Sequence, residues 1–251
     1  MKTQAVTVGL VMLAGFPAWA QQEEPAKSEG VLGGKFIGTA TVASDYVFRG
    51  ISQTDEAAAI QGGIEWHHKD GPFLGVWGSN VNFNDGNQAS AEIDWYGGYA
   101  GTYRSLGYDA RVIYYSYPGA DTPRTYDFWE LGLALTHEPV TGLTLTLGYN
   151  ISPDYFNESG VGQYARAEAA YAVSGLPMPL KLSAGVARQF IEDNTAFGTP
   201  DYWTWSLGVA TEVSGLSLGL TYSDTDIDKS RCGNGSGVCG ARLIVNASYS
   251  F

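Results

Sequence analysis

The feature that most constrains this chain is an alternation of apolar and polar side chains that recurs along almost its whole length. Because successive side chains of a β-strand point to opposite faces, the alternation predicts strands with one apolar and one polar face. In the clearest segment, Trp129, Leu131, Leu133 and Leu135 alternate with Glu130, Gly132, Ala134 and Thr136. The predicted strands, about twelve in all, are residues 36–48, 58–68, 73–83, 91–103, 106–117, 126–137, 142–151, 162–173, 180–190, 202–213, 215–223 and 241–251.

The connections between these segments are alternately short and long. Short turns such as residues 69–71 and 104–105 follow every even-numbered segment, and longer polar stretches such as 152–161 and 224–240 follow every odd one. Outer-membrane barrels have an even number of strands, short periplasmic turns and longer outer loops. A soluble β-sandwich, the alternative for alternating strands, has no reason to sort its loops in this way.

Composition agrees with strands that cross a membrane. Only 16% of the residues are charged, against about 25% in a typical soluble domain, and the chain contains 33 glycines. Outside the first twenty residues there is no apolar run of the roughly 18 residues that a transmembrane helix needs. Aromatic side chains crowd the predicted strand ends, among them Tyr46, Phe73, Trp129 and Tyr249, and suit a membrane–water interface. We therefore predict an all-β transmembrane antiparallel up-and-down β-barrel of about 12 strands.

The N-terminus has the features of an export signal. Lys2 precedes a short apolar stretch, and Ala18-Trp19-Ala20 fits the small-x-small rule for cleavage. The predicted organisation is therefore a cleaved signal peptide at residues 1–20, a flexible periplasmic segment at 21–34 and an outer-membrane barrel at 35–251. This predicts that the protein lies in the outer membrane of a Gram-negative bacterium, with the long loops outside.

The polar faces of the strands predict the interior of the barrel. A charge that faces lipid at the middle of the bilayer costs roughly 2–4 kcal/mol for Arg or Lys, so the charged face should be inside. The predicted pore-lining residues are Asp45, Arg49, Glu65, Glu92, Asp94, Asp109, Arg111, Glu130, Arg166, Glu168, Lys181, Glu212 and Arg242. Acids outnumber bases in this set, which favours a weakly cation-preferring channel for small polar solutes or ions. Small inward residues such as Gly132 and Gly148 should leave room for a channel. The charged lining residues would also fit an alternative, in which salt bridges between them plug the barrel.

Two stretches resemble known outer-membrane proteins. Residues 240–251, GARLIVNASYSF, resemble the C-terminal strand that the barrel-assembly machinery reads, with Tyr249 and Phe251 as the signal. Residues 40–66, and Ser44–Gln53 above all, resemble the opening of the TorF-like porin family. That resemblance extends along the mature chain and implies an outer-membrane barrel with a porin-like role. It supplies no catalytic or ligand residues.

Other function classes are less favoured. The balance of 14 basic against 26 acidic residues excludes a non-specific nucleic-acid binder. A lipid-active barrel enzyme would need a histidine near the outer rim, but His67, His68 and His137 all fall next to short turns. Glu65 and His67 share one strand face, yet two ligands make a poor metal site. We therefore predict no catalytic residues, metal or cofactor; the remaining alternatives are an adhesin or receptor and a barrel without conductance.

The two cysteines are predicted to form a disulfide. Cys232 and Cys239 flank the sequence GNGSGV in the longest predicted outer loop, and an exported chain passes through an oxidising compartment. The predicted partners of the protein are outer-membrane lipid, lipopolysaccharide, the assembly machinery, and small solutes or ions. The sequence leaves the oligomeric state and the identity of the solute open.

Overall fold

The predicted barrel is confirmed by a computed structural model, which describes residues 30–86, 88–121, 126–233 and 237–251. The predicted signal peptide and residues 21–29 lie outside the described residues. The barrel strands are β1 (Gly34–Ala43), β4 (Ala59–His68), β5 (Pro72–Asn80), β6 (Ala91–Tyr103), β7 (Leu106–Ser116), β8 (Phe128–Val140), β9 (Leu143–Ser152), β10 (Gly162–Val173), β11 (Leu180–Ile191), β12 (Tyr202–Val213), β13 (Leu216–Thr225) and β14 (Arg242–Ser250). Two short strands, β2 (Val47–Phe48) and β3 (Ile51–Ser52), form a separate hairpin.

The barrel closes where the first strand meets the last. β1 pairs antiparallel with β4 on one side and with β14 on the other, from Thr39↔Ser250 to Ala43↔Asn246. Beyond this ladder, the N–H of Gly38 donates to the carbonyl of Phe251 at 2.8 Å, and the N–H of Phe251 donates back at 3.0 Å. A closed ladder leaves no strand edge with unpaired backbone groups, as a lipid environment requires.

Connection lengths alternate as predicted. The end that we call the short-turn end carries residues 69–71, 104–105, 141–142, 174–179 and 214–215. The opposite end, the long-loop end, carries residues 44–58, 81–90, 117–127, 153–161, 192–201 and 226–241. Within these loops are the short helix α1 (Asn194–Phe197) and a 3-10 turn at Lys229–Arg231; another 3-10 turn, Val31–Gly33, precedes β1. No helix in the described ranges is both long and apolar enough to cross a membrane.

The two faces of the barrel wall differ as the alternation predicts. Trp129, Leu131, Leu133 and Leu135 of β8 are each about half exposed on the outer face, whereas Glu130, between Trp129 and Leu131, is only 1% exposed. Trp95, Trp129, Trp203 and Tyr249 also lie on the exposed face. The outside is therefore apolar and ringed by aromatics, which suits lipid.

Several expectations of the sequence analysis are wrong in detail. The first barrel strand ends at Ala43, not near residue 48, and the chain then turns into the barrel. Phe73 is not an interfacial aromatic: it is 1% exposed and faces the interior, and Tyr46 is likewise buried there. Strand β8 runs on to Val140 through an irregularity in its pairing with β9, which shortens the turn that follows.

Candidate functional site

The candidate site is the barrel interior, where the polar faces of the strands meet. Of the thirteen charged residues predicted to line it, eleven lie on barrel strands, and all of these are buried or half-buried. The other two, Asp45 and Arg49, do not belong to the wall. They are part of residues 44–58, which we call the inward segment.

The inward segment folds into the lumen because of a tight hairpin at its centre. Strands β2 and β3 are joined by Arg49-Gly50, with φ of 50° and 85°. Two successive residues with positive φ define the two-residue turn that best fits the twist of a hairpin. A Cβ on Gly50 would overlap the Thr204 hydroxyl and lie 2.5 Å from Thr225 Cγ2, so the turn presses directly on the barrel wall.

Arg49 fixes this hairpin to the opposite wall. Its Nη2 donates to both carboxylate oxygens of Glu130 at 2.7 and 2.6 Å, and its Nη1 donates to Gln189 Oε1 at 3.0 Å. The guanidinium also lies 4.4 Å from the ring centroid of Tyr164. Arg49, Glu130 and Gln189 are each no more than 3% exposed. The sequence analysis placed Arg49 and Glu130 in the lumen but did not single out Gln189, although it lies on the polar face of a predicted strand.

Asp45 ties both sides of the inward segment together. Its Oδ1 accepts from the hydroxyls of Ser52 at 2.6 Å and Thr54 at 2.8 Å, and its Oδ2 accepts from Arg242 at 3.0 Å. Hydrogen bonds therefore stabilise the segment internally and connect it to the barrel wall at β14. Residues 49–57 connect the first two predicted strands and are therefore expected outside with the other long loops, but part of this connection is buried inside the barrel, with Thr54 only 1% exposed.

Aromatic side chains fill the barrel beneath the long loops. The buried cluster comprises Tyr46, Trp77, Tyr115, Tyr117, Tyr126, Phe128 and Tyr155, and Phe48, Phe83, Phe156 and Phe197 pack against it. Burial raises the pKa of the loop residues Tyr117 and Tyr155 well above the ordinary value for tyrosine. Their hydroxyls therefore stay neutral, and the cluster forms an uncharged cap on the lumen.

Most lumen bases are neutralised by a neighbouring acid. Besides Arg49–Glu130, Arg111 pairs with Asp109 at 2.6 Å, Arg166 with Glu168 at 2.5 Å, and Arg242 with Asp45 at 3.0 Å. Within the described ranges, Glu92, Asp94, Glu212 and Lys181 form no salt bridge. Glu92 instead accepts from the Tyr46 hydroxyl at 2.8 Å. The predicted lining residues left without an ion-pair partner are thus mainly acidic side chains.

The space beside the hairpin is narrow. A cavity of about 40 Å³ lies between Arg49-Gly50 and the wall of Tyr164, Arg166 and Glu168. A water molecule needs roughly 10–15 Å³ of such space, so the cavity has room for only a few waters. The glycines of the wall do not all leave room, because the guanidinium of Arg166 lies over Gly148. The inward segment and these long side chains together narrow the lumen.

The histidines lie at the short-turn end. His67 Nε2 is 2.7 Å from Glu65 Oε2, and Glu65 also accepts a short hydrogen bond from the Tyr96 hydroxyl. The His67 ring stacks on Phe73 at 5.6 Å between centroids. His137 contacts the carbonyl of Ser105 at 3.0 Å. In the described parts of the chain, no three His, Cys, Asp or Glu side chains are grouped to hold a metal ion.

The fold and the charged interior define a class, the transmembrane β-barrel with a polar lumen. The chain belongs to the family described as "Bacterial protein of unknown function (Gcw_chp)", which it matches over residues 28–249. The resemblance to the TorF-like porin family stays a prediction. No curated protein matches the chain significantly.

Solved structures with a similar fold include two that are named as porins. "KdgM porin" superposes with a TM-score of 0.57 at 10% identity, covering 86% of this chain and 99% of that one. "NanC porin structure in rhombohedral crystal form" gives a TM-score of 0.51 at 7% identity, covering 85% and 98%. "LpxR from Salmonella typhimurium" gives 0.46 at 10% identity, covering 86% and 99%, too distant a likeness to argue from. At these identities the similarity establishes the fold.

Proposed function

We propose that the protein is an outer-membrane channel for the passive diffusion of small polar solutes or ions, constricted by its inward segment. The observation that carries the proposal is the sorting of side chains by the closed wall, with Trp129 and Leu131 outside and Glu130 between them inside. A lumen lined by charges would be costly unless water, ions or paired charges occupy it. The solved structures called porins that share the fold support this function.

We further propose that the long loops face outward and that the channel weakly prefers cations. The acids Glu92, Asp94 and Glu212 without salt bridges to described residues outnumber the one such base, Lys181, among the predicted lining residues. Acidic rings in a pore favour cations. The preference should be modest, because ion pairs cancel most of the lining charge and physiological salt screens the remainder beyond about 8 Å.

A barrel without conductance is the second candidate, and a specific observation favours it. The inward segment and the aromatic cluster around Tyr117 fill the long-loop end of the lumen. A filled barrel would act through its exposed loops, as an adhesin or receptor does. His67, His68 and His137 all lie at the short-turn end, away from the long loops. We therefore propose transport or loop-mediated binding rather than catalysis.

Recordings from refolded protein in planar bilayers separate these candidates. In a salt gradient the wild type should conduct, with a reversal potential shifted slightly toward that of the cation. Glu212→Gln removes a negative charge and should move the reversal potential toward anions, whereas Lys181→Gln removes a positive charge and should move it toward cations. These two residues are chosen because neutralising either of them leaves no salt-bridge partner unpaired in the described structure. Asp228→Asn, on an exposed loop, is the matched control. Insertion without conductance would support the second candidate, and anion preference in the wild type would contradict the proposed selectivity.

A further inference from the structure

The disulfide-bridged loop lies against the inward segment. Cys232 and Cys239 are bonded to each other, and both are buried, at 0% and 1% exposure. They belong to residues 226–241, which we call the bridged loop; residues 234–236 of it lie outside the description. Ile51 of the hairpin packs against the buried cluster that contains both cysteines. The bridge is therefore next to the constriction and not at the periphery of the loops.

Polar contacts join the two segments as well. The N–H of Ser52 donates to the carbonyl of Val238 at 2.9 Å, which continues the hairpin's hydrogen bonding onto the bridged loop. The hydroxyl of Thr225, on the barrel wall, donates to the carbonyl of Cys239 at 2.7 Å. Val238 and Cys239 are adjacent, so the bridged loop connects the hairpin to the wall through neighbouring carbonyls.

Arg242 forms a second connection between the same two segments. It donates to the carbonyls of Gly240 and Gly237 in the bridged loop at 3.0 and 3.3 Å. The same guanidinium pairs with Asp45 at 3.0 Å and with Glu56 at 3.6 Å, both in the inward segment. The position of Arg242 thus depends on two carbonyls that the disulfide helps to hold in place.

We propose that the bridged loop is the latch of the constriction: the Cys232–Cys239 bond fixes the loop that holds the inward segment in the lumen. Loss of the bond leaves more conformations open to the chain between the cysteines. The carbonyls that meet Ser52 and Arg242 then lose their fixed positions, and the hairpin leaves the wall more often. The expected change in conductance rests on the proposed channel function, whereas the expected release of the hairpin from the wall does not.

The test compares the double variant Cys232→Ala/Cys239→Ala with wild type and with Asp228→Ala. Asp228 belongs to the same bridged loop and accepts only from Ser230 and neighbouring backbone in the described structure, so its loss leaves the latch contacts intact. Hydrogen exchange, followed by mass spectrometry on folded protein, should be at least ten-fold faster over residues 44–58 in the double variant and unchanged in the control. Planar-bilayer conductance should rise in parallel.

Arg242→Gln keeps the disulfide and removes the ion pairs with Asp45 and Glu56, so it carries the same test if the alanine pair fails to assemble. Unchanged exchange over 44–58 in the assembled double variant, or in Arg242→Gln if that pair fails to assemble, would overturn the latch. Faster exchange without conductance in any variant would uphold the latch and refute the channel. A wild type that conducts, with variants identical to it in both measurements, would refute the latch alone.

Discussion

Arg49, at the tip of the inward hairpin, contacts both carboxylate oxygens of Glu130 on the barrel wall, at 2.7 and 2.6 Å. Charge-assisted contacts of one guanidinium with two carboxylate oxygens are among the strongest hydrogen bonds in proteins. Both side chains are shielded from solvent, with exposures of 3% and 1%. The pair therefore fixes the inward segment across the lumen, and the structure of the constriction depends on it.

Replacing Arg49 should release the hairpin. Arg49→Gln leaves Glu130 buried without its cation, and breaking a buried pair on one side costs about 3–5 kcal/mol. Because the barrel ladder is untouched, we expect local opening of residues 44–58 and not global unfolding. Hydrogen exchange should be faster there and unchanged in the strands. The reversed pair Arg49→Glu/Glu130→Arg should recover part of the protection; normal exchange in Arg49→Gln would contradict the role of the pair.

Gly50→Ala should also displace the hairpin, for a steric reason. The left-handed backbone costs a non-glycine residue roughly 1–2 kcal/mol, and the added methyl overlaps Thr204, where overpacking costs a further ~1–3 kcal/mol. Gly175→Ala is the matched control, because Gly175 has φ of 83° but nothing within 4 Å of an added Cβ. Exchange over 44–58 should be faster only in Gly50→Ala. Equal behaviour of the two variants would show that the contact with Thr204 is unimportant.

Closure of the barrel should depend on the seam between Gly38 and Phe251. The Phe251 ring occupies the place of a side chain at Gly38, so Gly38→Val should lower the yield of folded, heat-modifiable barrel several-fold. Ala40→Val, on the exposed face of the same strand, should be tolerated. Deletion of Phe251 should have the same effect as Gly38→Val without affecting export. Normal folded yield from either seam variant would contradict this account.

The wall of the barrel could be predicted from sequence, whereas the constriction could not. In segments such as 129–136, successive side chains face lipid and lumen alternately. This pattern can be read from residues that are adjacent in sequence. Asp45 and Tyr46 continue that alternation, so the pattern assigns them to the first strand. Their burial depends on distant partners, Arg242 for Asp45 and Glu92 for Tyr46. No local pattern in the sequence encodes such contacts.

A local signal for the hairpin was nevertheless present. Arg49-Gly50 is a two-residue turn with glycine at the second position, flanked by the apolar Phe48 and Ile51. For Phe73, in contrast, the sequence is ambiguous, because an aromatic side chain at a strand end fits a membrane interface as well as the barrel interior. Its inward position depends on packing against His67 and the guanidinium of Arg111.

The orientation of the barrel can be tested by cysteine labelling in a Cys232→Ala/Cys239→Ala background. Asp154→Cys and Lys229→Cys, on exposed parts of the long loops, should react with an impermeant thiol reagent on intact cells. Asp70→Cys and Ser105→Cys, on exposed short turns, should react only after the cells are broken. Labelling of Asp70→Cys in intact cells would reverse the proposed orientation.

The most direct test of the central claim, a channel constricted by its inward segment, is the single-channel conductance after the hairpin is removed. Replacing residues 47–52 by two glycines deletes the turn that presses on Thr204 and the guanidinium that contacts Glu130. Both wild type and variant should conduct when inserted as heat-modifiable barrels, and the variant should have a several-fold larger conductance. Inserted barrels that are silent in both forms, or equal conductance in the two, would contradict the account.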